Sequence, residues 1–106
     1  MRLVILESPY AGDVGANIEY ANACLLDCLR RGEAGLASHL LYTQALDDRI
    51  PEQRRIGIRA GLAWGRVADA TVVYVDRGIS PGMELGIAAA DVVGRPVEYR
   101  SLEVSS

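Results

Sequence analysis

The chain has 106 residues, of which half are hydrophobic and 24% are charged. This length predicts one domain spanning residues 1–106, and the balance of apolar and charged residues excludes a disordered or low-complexity chain. The formal net charge of −3 gives no general attraction to nucleic-acid phosphates or anionic lipid, so neither nucleic acid nor membrane is an expected partner.

The first predicted element is a strand. Arg2 to Glu7 is an apolar run with charged ends, followed by Ser8-Pro9, which is typical of a buried parallel strand. The run is too short for a signal peptide or a membrane span. We therefore expect a cytoplasmic protein.

Helices and strands alternate along the next part of the chain. Asn17 is the expected N-cap of a first helix, which ends before Gly32. A short second strand is predicted from Gly35 to Ser38, with His39 at its end. Pro51, at a first helical position, predicts the start of a second helix.

This second helix combines an apolar face with small residues. Ile56, Trp64 and Val67 are predicted to lie on or near one face of this helix, together with Ala60 and Ala63. Three glycines at four-residue spacing form a smooth stripe that allows close packing, and they are Gly57, Gly61 and Gly65. We interpret that stripe as a packing feature, although each glycine costs the helix about 1 kcal/mol relative to alanine.

The carboxyl-terminal half repeats the alternation. A strand is predicted from Ala70 to Val75, a helix from Pro81 to Val93, closed by Gly94, and a strand from Pro96 to Arg100. The order predicts an α/β fold, a three-layer Rossmann-like or flavodoxin-like domain with a parallel sheet of four to five strands. Ligands of such sheets bind beyond the carboxyl ends of the strands.

Two carboxylates fall at one such strand end. Asp76 directly follows the strand, and Glu84 lies in the first turn of the next helix, where the helix dipole favours the ionised form. An ionised carboxylate can act as a nucleophile. The alternative is that Glu84 is only a helix-start charge. It does not complete a capping box with Ser80, because that motif needs the acidic residue three positions after the cap.

The segment around Glu84 resembles a known family. Gly82-Met83-Glu84-Leu85-Gly86, together with the preceding strand and Asp76, is similar to the nucleophile segment of the nucleoside 2-deoxyribosyltransferase superfamily. That superfamily includes the 2'-deoxynucleoside 5'-monophosphate N-hydrolases. Gly61-Leu62-Ala63-Trp64, followed by Ala68-Asp69, resembles the corresponding helix and strand start of those hydrolases. The chain resembles a small, divergent member, a domain of unknown function.

The resemblance implies roles for individual residues. Glu84 would attack the anomeric carbon of a nucleoside or nucleotide and release the base. Asp76 would contact substrate or assist proton transfer, and Tyr10 would lie beside the nucleophile. The family's helix carries an aspartate where this chain has Gly61, so Asp76 or His39 would have to protonate the base. The expected substrate-binding residues are Ser8, Gly12, His39, Ser80, Gly82 and Met83.

No metal or cofactor is expected. Cys24 and Cys28 lie four residues apart on the first predicted helix, without a further cysteine for a zinc site, so we interpret them as buried free thiols. His39 is the only histidine and is otherwise a structural hydrogen-bonding group. The glycines from Gly12 to Gly15 match neither a phosphate-binding loop nor a dinucleotide fingerprint.

Three functions follow from these observations. The first is an N-glycosidic bond hydrolase or deoxyribosyltransferase with a glutamate nucleophile. The alternative is a non-catalytic nucleotide-binding or sensing module of the same fold, and the third is a partner-binding domain without a small ligand. We also expect a homodimer or higher homo-oligomer, because the helix face around Gly57, Gly61 and Trp64 would otherwise expose apolar surface.

Overall fold

The computed structural model describes residues 1–102 and forms a parallel four-stranded sheet with helices packed against it. The strand order is β2-β1-β3-β4, and every neighbouring pair is parallel. The predicted α/β fold is therefore confirmed, with four strands in the part of the chain that the structure describes. The elements are β1 (Arg2–Glu7), α1 (Val14–Arg30), β2 (Glu33–Leu36), α2 (Ser38–Leu41), a 3-10 turn (Tyr42–Gln44), α3 (Pro51–Gly65), β3 (Ala70–Tyr74), α4 (Pro81–Val92) and β4 (Val97–Arg100).

Helix α1 begins earlier than predicted. Its N-cap is Asp13, whose side chain accepts a hydrogen bond from the Ala16 amide. Asn17 lies one turn inside the helix, and its side-chain amide donates to the carbonyl groups of Tyr10 and Ala11. The predicted cap at Asn17 was wrong because this side chain fixes the preceding loop instead of the helix end.

Strand β2 is shifted by two residues from its predicted position. It pairs with β1 from Glu33 to Leu36, so it begins directly after Gly32. Gly32 has a φ of +79°, which favours glycine and ends α1 as predicted. His39 does not lie at the strand end, because Ser38 already begins the short helix α2.

Helix α3 turns its glycines inward and its large apolar residues outward. Ile56 and Trp64 are 50% and 48% exposed, whereas Gly65 is buried. The predicted close packing along the glycines is confirmed, and the large apolar residues of this helix are left about half-exposed. At Gly61, a methyl group would lie 2.7 Å from Ser38 Oγ. The predicted homo-oligomer stays a prediction.

The core lies between the sheet and α1. Val4, Leu6 and Val72 from the strands pack against Cys24 and Cys28 from α1. Both cysteines are free and buried, as predicted. Burial raises the pKa of the Cys24 thiol to about 12, so this group is a structural one and not a reactive thiolate.

A buried polar cluster closes one edge of this core. The Arg100 guanidinium donates two hydrogen bonds to the Glu33 carboxylate, each 2.7 Å long. The Tyr74 hydroxyl donates to Asp27 at 2.6 Å and accepts from Arg100. The guanidinium beside Glu33 lowers the pKa of that carboxyl. This cluster links β2, β3, β4 and α1 on the sheet face that α1 covers.

No helix among residues 1–102 combines the length and hydropathy needed to cross a membrane.

Candidate functional site

A cavity of about 590 Å³ lies between the sheet and the helices α2, α3 and α4. It is referred to below as the central cavity. Ile5 and Glu7, which alternate along β1 with the core residues Val4 and Leu6, line its sheet side. The central cavity therefore lies on the sheet face opposite α1. Its lining includes polar side chains from several bounding elements, among them Glu7, Ser8, His39, Tyr42, Ser80 and Arg95.

Ser8 and His39 form a hydrogen-bonded pair in this lining. Ser8 Oγ and His39 Nε2 are 2.8 Å apart, and the Ser8 residue is buried. Burial lowers the pKa of His39 from 6.5 to about 4, since the charged imidazolium is disfavoured away from water. The pair is therefore neutral at physiological pH. It can exchange hydrogen bonds with a ligand, but His39 is a poor proton donor there.

Glu7 is an acidic cavity residue that the sequence analysis did not predict. It is the last residue of β1, and burial raises the pKa of its carboxyl from 4.5 to about 7, partly offset by the positive charge of Arg95. It makes no side-chain hydrogen bond or ion pair with the described residues. Its position at the end of a predicted strand could have identified it, because an acidic residue that ends a parallel strand lies at the edge of the sheet where ligands bind.

Arg95 and Tyr42 are held in place by protein contacts. Arg95 donates to Thr71 Oγ1 at 3.0 Å and to the Gly65 carbonyl at 2.6 Å. The Tyr42 hydroxyl accepts a 2.6 Å hydrogen bond from the indole of Trp64. Both side chains belong to the lining, so the cavity wall is joined to α3 at two points.

The amino-terminal turn of α4 forms part of the cavity wall. Ser80 is the N-cap, and its hydroxyl accepts from the Met83 amide at 3.3 Å. Pro81 occupies the first helical turn, as predicted. Ser80, Gly82 and Met83 all line the cavity. The structure therefore brings these three predicted binding residues together with Ser8, Tyr10 and His39.

Glu84 lies outside the cavity lining, although its neighbours Met83 and Leu85 belong to it. Its side chain is exposed and has no hydrogen-bond or ion-pair partner among the described residues. Consecutive residues of a helix point about 100° apart, which places Glu84 to one side of the wall. Its role as a nucleophile stays a prediction.

Asp76 is anchored on the α1 side of the sheet. Its carboxylate accepts hydrogen bonds from the Tyr20 hydroxyl at 2.6 Å, from the Ser101 hydroxyl and from the Leu102 amide. It does not belong to the central-cavity lining. These contacts tie the end of β3 to α1 and to the chain after β4. A catalytic role for Asp76 also stays a prediction.

Gly12 lies at a second, more open cavity of about 600 Å³ beside the first. Its φ of +97° lies in the left-handed region that favours glycine. The two cavities share five lining residues, which are Tyr10, Ala11, Thr43, Leu46 and Asp48. Gly12 therefore lines the neighbouring cavity and not the one that the other predicted binding residues line.

The sequence matches a family model over most of its length. The match covers residues 2–100, and the family is described as "Domain of unknown function (DUF7768)". The chain belongs to this family. No curated protein matches the sequence.

The fold of this DUF7768 domain is similar to that of an enzyme whose structure has been solved. The relative is a 2-deoxyribosyltransferase from the psychrotolerant bacterium Bacillus psychrosaccharolyticus, described as a biocatalyst for the synthesis of nucleosides. The two chains are 19% identical, the TM-score is 0.68, and the match covers 98% of this chain and 77% of the enzyme. The domain therefore has a deoxyribosyltransferase-like Rossmann fold.

Proposed function

We propose that the domain binds a nucleoside or nucleotide in the central cavity and cleaves or transfers at its N-glycosidic bond. One observation carries this proposal. In a fold similar to that of a 2-deoxyribosyltransferase, a cavity with both polar and apolar walls lies at the carboxyl end of β1 and against the first turn of α4. Ligands of open parallel sheets bind at this edge.

The size and lining of the cavity suit such a ligand. Small-molecule sites measure about 300–1,000 Å³ and combine apolar walls with a few polar groups that fix orientation. Leu62 and Leu85 offer apolar surface for a base, whereas Ser8, His39 and Ser80 offer hydrogen-bonding groups for a sugar. This mixed lining supports recognition of a molecule that has both an apolar and a hydrogen-bonding part.

Glu84 is the proposed nucleophile. Its carboxylate would attack the anomeric carbon, and the resulting ester would then be transferred to water or to a second base, as in retaining glycosidases. Attack needs the reacting atoms about 3–3.5 Å apart. The exposed side chain therefore has to rotate toward the cavity when a ligand is bound, and no described residue holds it in its present position by a hydrogen bond or ion pair.

A panel of nucleosides and nucleoside 5'-monophosphates tests this function, with free base measured by chromatography. We expect base release by the wild type, and a loss on the order of 1,000-fold or more in Glu84→Gln, as found when a nucleophile is removed. Asp91→Asn is the matched control, because it removes an exposed carboxylate from the same helix away from the cavity. Equal rates in Glu84→Gln and the wild type would contradict the assigned role.

Binding without turnover is the second candidate function. The exposure of Glu84 outside the cavity lining favours it, and so does the glycine at position 61, where the similar family carries an aspartate. Calorimetric titration with the same panel separates the candidates. Binding without base release from any compound would establish a sensing module, whereas no binding at all would contradict both.

A further inference from the structure

Among the described carboxyl groups, Glu7 alone combines three features. It lines the central cavity from the end of β1. It has no hydrogen-bond or ion-pair partner among residues 1–102, and it lies against a helix position that has no side chain. A carboxyl group in this setting is free to exchange hydrogen bonds with whatever occupies the cavity.

The neighbouring cation does not neutralise Glu7 by direct contact. Arg95 lines the same cavity, but its guanidinium donates to Thr71 Oγ1 and to the Gly65 carbonyl. Arg95 therefore attracts the Glu7 charge from a distance without forming an ion pair with it. The oxygens of Glu7 stay available for a ligand.

Gly86 makes the position of Glu7 possible. A methyl group on Gly86 would overlap the Glu7 carboxyl group, with all three of its nearest atoms belonging to Glu7. The absence of a side chain at residue 86 thus allows the carboxyl group to pack against α4. This arrangement places Glu7 beside the helix whose first turn carries the proposed nucleophile.

From this placement we infer that Glu7 is the proton donor to the leaving base, an inference that rests on the proposed function. The C–N bond breaks with its electron pair moving to the base nitrogen, and the Glu7 proton moves to that nitrogen. An oxygen of Glu84 forms the new bond to the anomeric carbon. Water then displaces Glu84 from that carbon, and its proton returns to the Glu7 carboxylate.

His39 suits this role less well than Glu7 does. With a pKa of about 4, the His39 ring is neutral at neutral pH and is a poor proton donor. The pKa of Glu7, about 7, is close to the value that serves best for an acid at neutral pH. The remaining ionisable side chains in the lining are Tyr10, Tyr42, Asp48, Arg54 and Arg95.

Base release measured between pH 5 and pH 9 tests this inference, using the wild type, Glu7→Gln and Glu19→Gln. Glu19 is an exposed carboxylate on α1, on the opposite side of the sheet, and serves as the control. The wild-type rate is expected to fall about tenfold per pH unit above about 7. The rate of base release by Glu7→Gln is expected to be about 100-fold or more below that of the wild type and not to fall with pH in this way. Glu19→Gln is expected to follow the wild type.

A second substrate separates proton donation from a structural role. A nitrophenyl 2-deoxyriboside has a leaving group that departs as an anion without protonation. Glu7→Gln is expected to process it at nearly the wild-type rate. Equal losses on both substrates, or an unchanged pH profile on nucleosides, would overturn the role of Glu7 alone. Absence of base release by the wild type would instead overturn the proposed function, and this inference with it.

Discussion

Ser38 Oγ lies where the side chain of residue 61 would begin. A methyl group built on Gly61 would be 2.7 Å from this oxygen and 3.1 Å from Ser38 Cβ. Both residues line the central cavity. Within this fold, α2 and α3 can approach so closely only because one of them carries a glycine there. Ser38 thus occupies the space that a side chain at residue 61 would need.

The first prediction concerns this pair. Gly61→Ala is expected to destabilise the domain by about 1–3 kcal/mol, because the added methyl group overpacks the contact. Combined with Ser38→Gly, the same substitution is expected to cost less than it does alone. Urea denaturation of the single and double variants measures the coupling. Strictly additive costs would contradict the contact.

The second prediction concerns the pH dependence that Glu7 gives to stability. The carboxyl holds its proton up to about pH 7 in the folded chain, compared with an ordinary pKa of 4.5. Between these pH values the folded state therefore binds more protons than the unfolded state. The contribution of Glu7 to stability falls as pH rises through this window. As pH rises from 4.5 to 8, the free energy of unfolding of Glu7→Gln is expected to increase by up to about 3 kcal/mol relative to that of the wild type.

Denaturation curves at unit pH intervals measure that difference. Glu19→Gln provides the control, since this exposed residue is expected to leave the curve unchanged. A difference between Glu7→Gln and the wild type that does not vary with pH would contradict the assignment.

The third prediction concerns His39, for which stability changes with pH in the opposite direction. Its pKa is about 4 in the folded chain, compared with an ordinary value of 6.5. The unfolded state therefore binds more protons in this range, and stability falls as pH decreases from 6.5 toward 4. His39→Gln removes this loss, so its stability relative to the wild type is expected to rise on acidification. The imidazole resonances in NMR spectra are expected to show the neutral ring at pH 6.

The fourth prediction concerns the buried pair Glu33 and Arg100. Arg100→Met leaves the Glu33 carboxylate buried without its two guanidinium hydrogen bonds, and a loss of about 3–5 kcal/mol is expected. Arg31→Met is the comparison, because Arg31 is 44% exposed in its pair with Asp27 and is expected to cost less. Chemical denaturation measures both. Similar losses would show that burial does not strengthen the Glu33 pair.

Strand positions and helix types were largely predictable from the sequence. The apolar runs predicted as strands correspond to β1 and β3. The predicted helix boundaries at Pro51, Pro81 and Gly94 correspond to the observed helices. The face of α3 was not predictable from hydrophobicity alone. Its glycines face α2 and the chain around Arg95, whereas Ile56 and Trp64 are about half-exposed, and which side of a helix is covered depends on tertiary packing.

The candidate site was predictable in its position but less so in its composition. Ser8, His39 and Ser80 all line the central cavity, and their role in binding stays a prediction. The position of Glu7 at the end of β1 was visible in the sequence, but its packing against Gly86 on α4 was not. Asp76 was expected in the site because it follows β3, but its hydrogen bonds to Tyr20 and Leu102 lie on the other side of the sheet.

The hydrogen bond between Trp64 and Tyr42 gives the domain an intrinsic optical reporter. Trp64 is the only tryptophan of the chain, and its indole donates to a hydroxyl group on the wall of the central cavity. A ligand that displaces Tyr42 would change the polarity and hydrogen bonding around the indole, and with them its fluorescence emission. Occupancy of the cavity can therefore be followed without a label, and Tyr42→Phe would remove the connection while leaving the fluorophore in place.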